Sequence, residues 1–211
     1  MTPHVAILIP SAGQRGLANL ARDAIAKFTT DVSHEVWLLD TAPDVIHGSQ
    51  ANGRDLDRLI QAATVSWALG AKPTHVFCMH DDVLPLRAGW LSYLLAQPGP
   101  VVGVKASERN GYAHSSGVLF DAEFAVTHSM LPDLPRRDAG EWPANSMMAS
   151  ICHRPGKHEW PRAPQWWHPF SCDLSVDNEG NVLFIHLGGG TLNSRPDTAA
   201  WIAAAREALD L

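Results

Sequence analysis

Thr74-His75-Val76-Phe77-Cys78-Met79 runs without a break into His80-Asp81-Asp82, and the reading of this junction decides the fold. A short apolar run stopped abruptly by charge is a buried strand delivering its last residues to a turn. Upstream, Asn52 to Leu69 places Leu56, Leu59, Ile60, Ala63 and Trp67 at intervals of three and four, one face of an amphipathic helix, with Gly70 as its stop. Glu35-Val-Trp-Leu-Leu-Asp40 is a second strand, Leu17 to Phe28 a second helix, and His4-Val-Ala-Ile-Leu-Ile-Pro10 a first strand entering the loop Ser11-Ala-Gly-Gln14. This alternation of strand and helix predicts parallel βαβ units.

Downstream the pattern continues with a helix around Ala88 to Ala96 and strands at Pro100 to Val104 and Gly117 to Phe120. Pro132 to Pro169 is rich in proline and tryptophan and is expected to be mostly loop, with a short helix around Ala144 to Ile151. Leu174 to Val176 and Val182 to Ile185 flank Asp177-Asn-Glu-Gly180 as a β-hairpin, and Thr198 to Leu209 forms a closing helix. The expected architecture is α/β, a mixed, mainly parallel sheet flanked by helices in a single domain over residues 1–211.

With 45% hydrophobic and 18% charged residues, the 211-residue chain has the composition of an ordinary globular protein. Val5 to Pro10 is too short to span a membrane and lacks the flanks of a secretory signal, so a cytoplasmic protein without membrane attachment is expected. Cys78, Cys152 and Cys172 form no CxxC pair, which fits a reducing compartment. The net charge of −6 argues against uniform attraction to nucleic acid, although Arg136 to His168 carries five Lys/Arg against three acids.

In an open α/β sheet, ligands bind beyond the C-terminal ends of the strands. Ser11, Asp40 and Asp82 all fall at such ends. Asp and Ser also favour turns and helix caps, which accounts for any one of them singly. The pair Asp81-Asp82 asks for more, because adjacent carboxylates repel unless a cation or strong donors compensate. A divalent ion such as Mg2+ or Mn2+, bridging the protein to a diphosphate, would do so with few protein ligands. Capping of a helix beginning near Leu86 is the competing reading, and the local sequence leaves the two even.

Val5-Ala-Ile-Leu-Ile-Pro10, Val36-Trp-Leu-Leu-Asp40 with Pro43-Asp44, Asn52-Gly53 opening a helix, and Val76-Phe-Cys-Met-His-Asp-Asp-Val-Leu-Pro85 together resemble the successive landmarks of GT-A glycosyltransferases, family 2 especially. His80-Asp81-Asp82 occupies the place of that family's DxD motif, with His in the first position. Val182-Leu-Phe-Ile-His186 followed by Gly188-Gly189 is similar to the strand and histidine that close the family's site. The resemblance implies a Rossmann-like nucleotide-sugar fold whose donor half is 1–105 and acceptor half 106–211. It implies Asp82 and His186 as ligands of Mn2+ or Mg2+. Pro10, Ser11, Gly13, Asp40 and Asp81 would contact the nucleotide sugar, with Arg54 or Arg58 reaching its diphosphate. Asp138, and after it Glu141, would be the catalytic base. Trp160, Trp166 and Trp167 offer rings for a glycan, a small molecule or a hydroxylated base in viral DNA; a tryptophan minicore under loops competes with that role, and solvated helix charge competes for the arginines. A sugar nucleotidyltransferase and a non-catalytic nucleotide- or sugar-binding module are the alternatives to hexosyl or pentosyl transfer.

Overall fold

A computed structural model of the chain describes residues 2–11, 13, 15–40, 48–71, 73–103, 113–114, 116–127, 141–142, 148–150, 165–170, 172–177, 179–188 and 195–211; for 48–54, 113–114, 126–127, 141–142 and 148–150 it describes the backbone alone. Strands β1 (His4–Ser11), β2 (Ser33–Asp40) and β3 (His75–Met79) are linked by helices α1 (Arg15–Phe28) and α2 (Gly48–Ala68), and β1 pairs in parallel with both β2 and β3. There follow β4 (Val83–Pro85), α3 (Trp90–Leu95), β5 (Val101–Gly103), β6 (Ala113–His114), β7 (Gly117–Asp121), α4 (Ala122–Thr127), β8 (Glu141–Trp142) and β9 (Met148–Ser150). A hairpin of β10 (Asp173–Val176) and β11 (Val182–His186) and helix α5 (Thr198–Leu209) complete the order.

The main sheet runs β2-β1-β3-β7-β5-β9, with β7 antiparallel to both neighbours and the other pairings parallel. This is the mixed, mainly parallel sheet flanked by helices that the sequence predicts. Successive side chains on a strand point to opposite faces, and both faces are covered here. Val5, Ile7 and Ile9 of β1 with Phe77 and Met79 of β3 share one core with α1, α3 and α5. Ala6, Leu8, Val76 and Cys78 share the other with α2 and α4. Two-sided burial explains why these strands read as continuous apolar runs instead of alternating ones.

Several expectations need correction. Asn52-Gly53 does not open α2, which starts at Gly48, four residues earlier. Its end is as expected: Gly70 adopts φ 79°, with Gly70 N–H donating to Trp67 O and Ala71 N–H to Ser66 O, a Schellman closure. The short helix expected around 144–151 is contradicted by β9, which joins the sheet edge parallel to β5 at Met148–Ser150. Apolar residues at 147–149 and 151 suit a strand as well as a helix, and pairing to β5 decides. The helix expected from Leu86 is absent; β4 follows the acidic turn instead, and α3 begins at Trp90 behind Gly89.

The thiols of Cys78 and Cys172 are free and buried. Burial pushes both pKa values up, Cys172 to about 12, and the Asp57 carboxylate adds to the effect at Cys78. Neither is a nucleophile at neutral pH.

The hairpin turn is organised by Asp177, whose carboxylate accepts from the backbone N–H groups of Glu179 and Asn181, from Asn181 Nδ2 and from Arg87 at 2.8 Å. Burial raises its pKa, but these donors outweigh burial and leave the carboxyl below the usual carboxylate value. A folded-state pKa below the unfolded one contributes stability that is full above the unfolded value and is lost as pH falls through the folded one. Asp177→Asn is therefore expected to cost about 1–3 kcal/mol at pH 7, with the deficit shrinking as urea melts are repeated towards pH 3. A deficit unchanged with pH would refute this account.

Candidate active site

His80, Asp81 and Asp82 leave the end of β3 in a turn closed by a bond from Val83 N–H to His80 O, and all three are buried. Neither acid caps a helix, so the capping alternative is overturned. The turn leads into β4, the edge of a second sheet ordered β10-β11-β4. Antiparallel pairing sets Val83 opposite His186, and Leu187 N–H donates to Asp82 O at 3.0 Å. Backbone bonds thus fasten two segments a hundred residues apart in sequence. Their side chains meet: His186 Nε2 lies 3.2 Å from Asp82 Oδ1.

His80 completes the cluster. One ligand atom each from His80, Asp82 and His186 lies within 4.8 Å of the others, so the three could hold a metal ion. In an octahedral site with ligand atoms about 2.1 Å from the ion, cis neighbours stand about 3.0 Å apart. The Asp82–His186 separation already matches that edge, and both groups are acceptable ligands for a divalent ion.

Leu187, the residue after His186, is held by Arg195, which donates to Leu187 O at 2.7 Å, to Phe170 O and to both oxygens of Asp197. The hydrogen-bonded Asp197 carboxylate raises the Arg195 pKa against burial, and Asp82 adds a smaller favourable charge. Gly188 follows at φ 68°, a conformation costly for any residue with a Cβ.

A second strand-end group lies at β1 and β2, where Ser11 registers opposite Asp40. Asp40 Oδ1 accepts from Gly13 N–H at 3.0 Å and Oδ2 from Arg15 Nε at 3.1 Å. Asp40 therefore ties down the loop after β1. Pro10 and Ser11 are buried, and the Ser11 hydroxyl makes no hydrogen bond among the described residues. Arg58 is exposed and pairs within its own helix, with Asp55 at 3.3 Å. Trp167 packs in the main core and Trp166 lies half-buried against it, their ring centroids 5.6 Å apart, with Trp201 6.0 Å from Trp166. Asp138 and Trp160 lie outside the described residues, as do the side chains of Arg54 and Glu141.

No family model and no curated protein matches the chain. Among solved structures it is similar to GT-A-type glycosyltransferases. A mannosyltransferase from Pyrobaculum calidifontis, in complex with GDP-Man and Mn2+, matches with a TM-score of 0.47 and 15% identity over 66% of this chain and 50% of that one. A glycosyltransferase involved in glycosylation of the major capsid of PBCV-1 matches with a TM-score of 0.39 and 12% identity over 72% and 83% of the two chains. A mutant Drosophila galactosyltransferase, in complex with manganese, UDP-Gal and xylobiose, matches with a TM-score of 0.37 and 14% identity over 59% and 51%. The matches span about half the length of the first and third of these proteins. Likeness at this level assigns no residue of this chain a role.

Asp82 and His186, the ligands that the resemblance implies, lie together in the structure. His80, which in the sequence stands as a departure from the DxD pattern, joins them, and its spacing of two residues from Asp82 is the signal for it. Nothing in the sequence marked Arg195, which is held by two distant backbone carbonyls and by the Asp197 carboxylate.

Proposed function

We propose that this chain is a divalent-metal-dependent glycosyltransferase, moving a hexosyl or pentosyl group from a nucleoside diphosphate sugar to a hydroxyl acceptor. The observation that carries the reading is the meeting of Asp82 and His186, 3.2 Å apart, at the mouth of a parallel strand. Asp82 and His186 would hold Mn2+ or Mg2+, which supplies Lewis-acid stabilisation of the departing diphosphate. Asp81 would face the donor sugar or ribose. The loop of Pro10, Ser11 and Gly13, held by Asp40, would receive the nucleotide, and Arg58 or Arg54 would screen its phosphates. Residues 1–105 are the donor half in this reading and 106–211 the acceptor half.

In an inverting reaction, a carboxylate accepts the acceptor hydroxyl's proton as its oxygen bonds to the anomeric carbon and the bond to the diphosphate breaks. Asp138 is assigned that role first and Glu141 second. Trp160 and Trp166 would present ring faces to a glycan, a small molecule or an extruded hydroxylated base in viral DNA; Trp167, packed in the core, would position its neighbour.

The test is calorimetry of UDP and GDP with and without Mn2+. Tight binding only with the ion is the expected result, and equal affinity in its absence sinks the reading. A panel of sugar nucleotides, assayed for donor hydrolysis, then names the sugar. Pyrophosphate release from a nucleoside triphosphate and a sugar phosphate would point to a nucleotidyltransferase instead.

A further inference from the structure

We propose that His80 is a third protein ligand, making a site of two imidazoles and one carboxylate that selects first-row transition ions over Mg2+. This rests on the metal-site reading above and adds to it the class of ion. His80 is 8% exposed, beside Asp82 at 1% and facing the ring of His186 at 9%, so all three side chains are withdrawn from bulk water at one point. The turn bond from Val83 N–H to His80 O fixes residues 80 and 82 on the same bend, and the β4–β11 pairing fixes residue 186 against it.

Distances support ligation by all three. Trans ligands at about 2.1 Å stand about 4.2 Å apart, and cis ligands about 3.0 Å. With the three ligand atoms within 4.8 Å of one another, ring rotation has to close the widest gap by only about half an ångström. The rings of His80 and His186 stand 6.1 Å apart at 74°, within the span of about 6.5 Å that one ion bridges between two imidazoles.

Chemistry then separates the ions. Mg2+ is hard, prefers oxygen and keeps much of its water, whereas imidazole suits later first-row ions such as Zn2+ and is accepted by Mn2+ more readily than by Mg2+. An aspartate at position 80 would offer oxygen and a second negative charge; the histidine there offers neither. The first position of the turn is therefore the residue that sets the preference, and its replacement by Asp should move the site towards Mg2+.

Wild-type protein, His80→Asp, His80→Gln and Asp82→Asn would each be titrated with MnCl2 and MgCl2 by calorimetry, with pulsed EPR of bound Mn2+ counting the coordinated histidine nitrogens. The wild type is expected to favour Mn2+ and to show two nitrogen couplings. His80→Asp should retain one coupling and lower the Mn2+/Mg2+ preference by tenfold or more. His80→Gln, with no imidazole and no added charge, should show one coupling and weaker Mn2+ binding. An unchanged preference and two couplings in both His80 variants, with binding still lost in Asp82→Asn, would overturn the role of His80 while leaving the metal site standing. Absence of Mn2+ binding by the wild type would overturn both.

Discussion

Asp82→Asn is expected to abolish metal-dependent nucleoside diphosphate binding and to lower sugar transfer by about 10²–10³-fold, the scale lost when one preorganised electrostatic group is removed from a transition state. The substitution keeps the side chain's size and removes its charge. It leaves intact the backbone bond from Leu187 N–H to Asp82 O, which fastens the end of β11 to the acidic turn independently of the carboxylate. The fold should persist, as judged by an unchanged urea midpoint, while calorimetry with UDP or GDP becomes insensitive to Mn2+. Wild-type affinity and Mn2+ dependence in this variant would remove Asp82 from the site. If the midpoint falls as well, binding measured well below it keeps the two effects apart.

Trp90→Ala is expected to be the most damaging single change to stability, at about 3–5 kcal/mol, against the 5–15 kcal/mol typical of a whole domain. The indole is fully buried and donates to Thr29 Oγ1 at 2.9 Å. It also lies 5.1 Å from the ring of Phe77 and 5.0 Å from that of Phe184, with Phe77 and Phe184 5.9 Å apart. Phe77 belongs to β3 and Phe184 to β11, so this aromatic cluster presses the small sheet onto the large one. Truncation leaves a cavity, an unpaired Thr29 hydroxyl and a looser seat for β11. Equilibrium urea denaturation reads the loss, and a midpoint within error of wild type would refute the account.

The first half of the chain was largely legible because β1 and β3 are buried on both faces and its helices on one, while edge strand β2 still carries an apolar run. Periodicity and continuous apolar runs are then direct images of the packing, and α5 matched its expected bounds for the same reason. Short elements were not legible. Val83-Leu84-Pro85 is three residues, too few to show a period, and it is a strand only because β11 arrives beside it. That pairing was also what the acidic turn lacked when read alone: cap and metal site were evenly matched until β4 took the place of the helix. The strand ends carrying Ser11, Asp40 and Asp82 were legible from the rule for open sheets. The engagement of Asp40 by Gly13 and Arg15 was not, because it depends on the left-handed backbone at Gly13.

The β4–β11 pairing has a consequence for the order of events during synthesis. The Asp82 turn leaves the ribosome about a hundred residues before His186, and until β10 and β11 fold back it has neither its backbone clasp nor its imidazole partner. A nascent chain therefore cannot assemble the Asp82–His186 pair early. Capture of an ion by that pair would report that the last hairpin has docked, so the site would act as its own proof of completed folding.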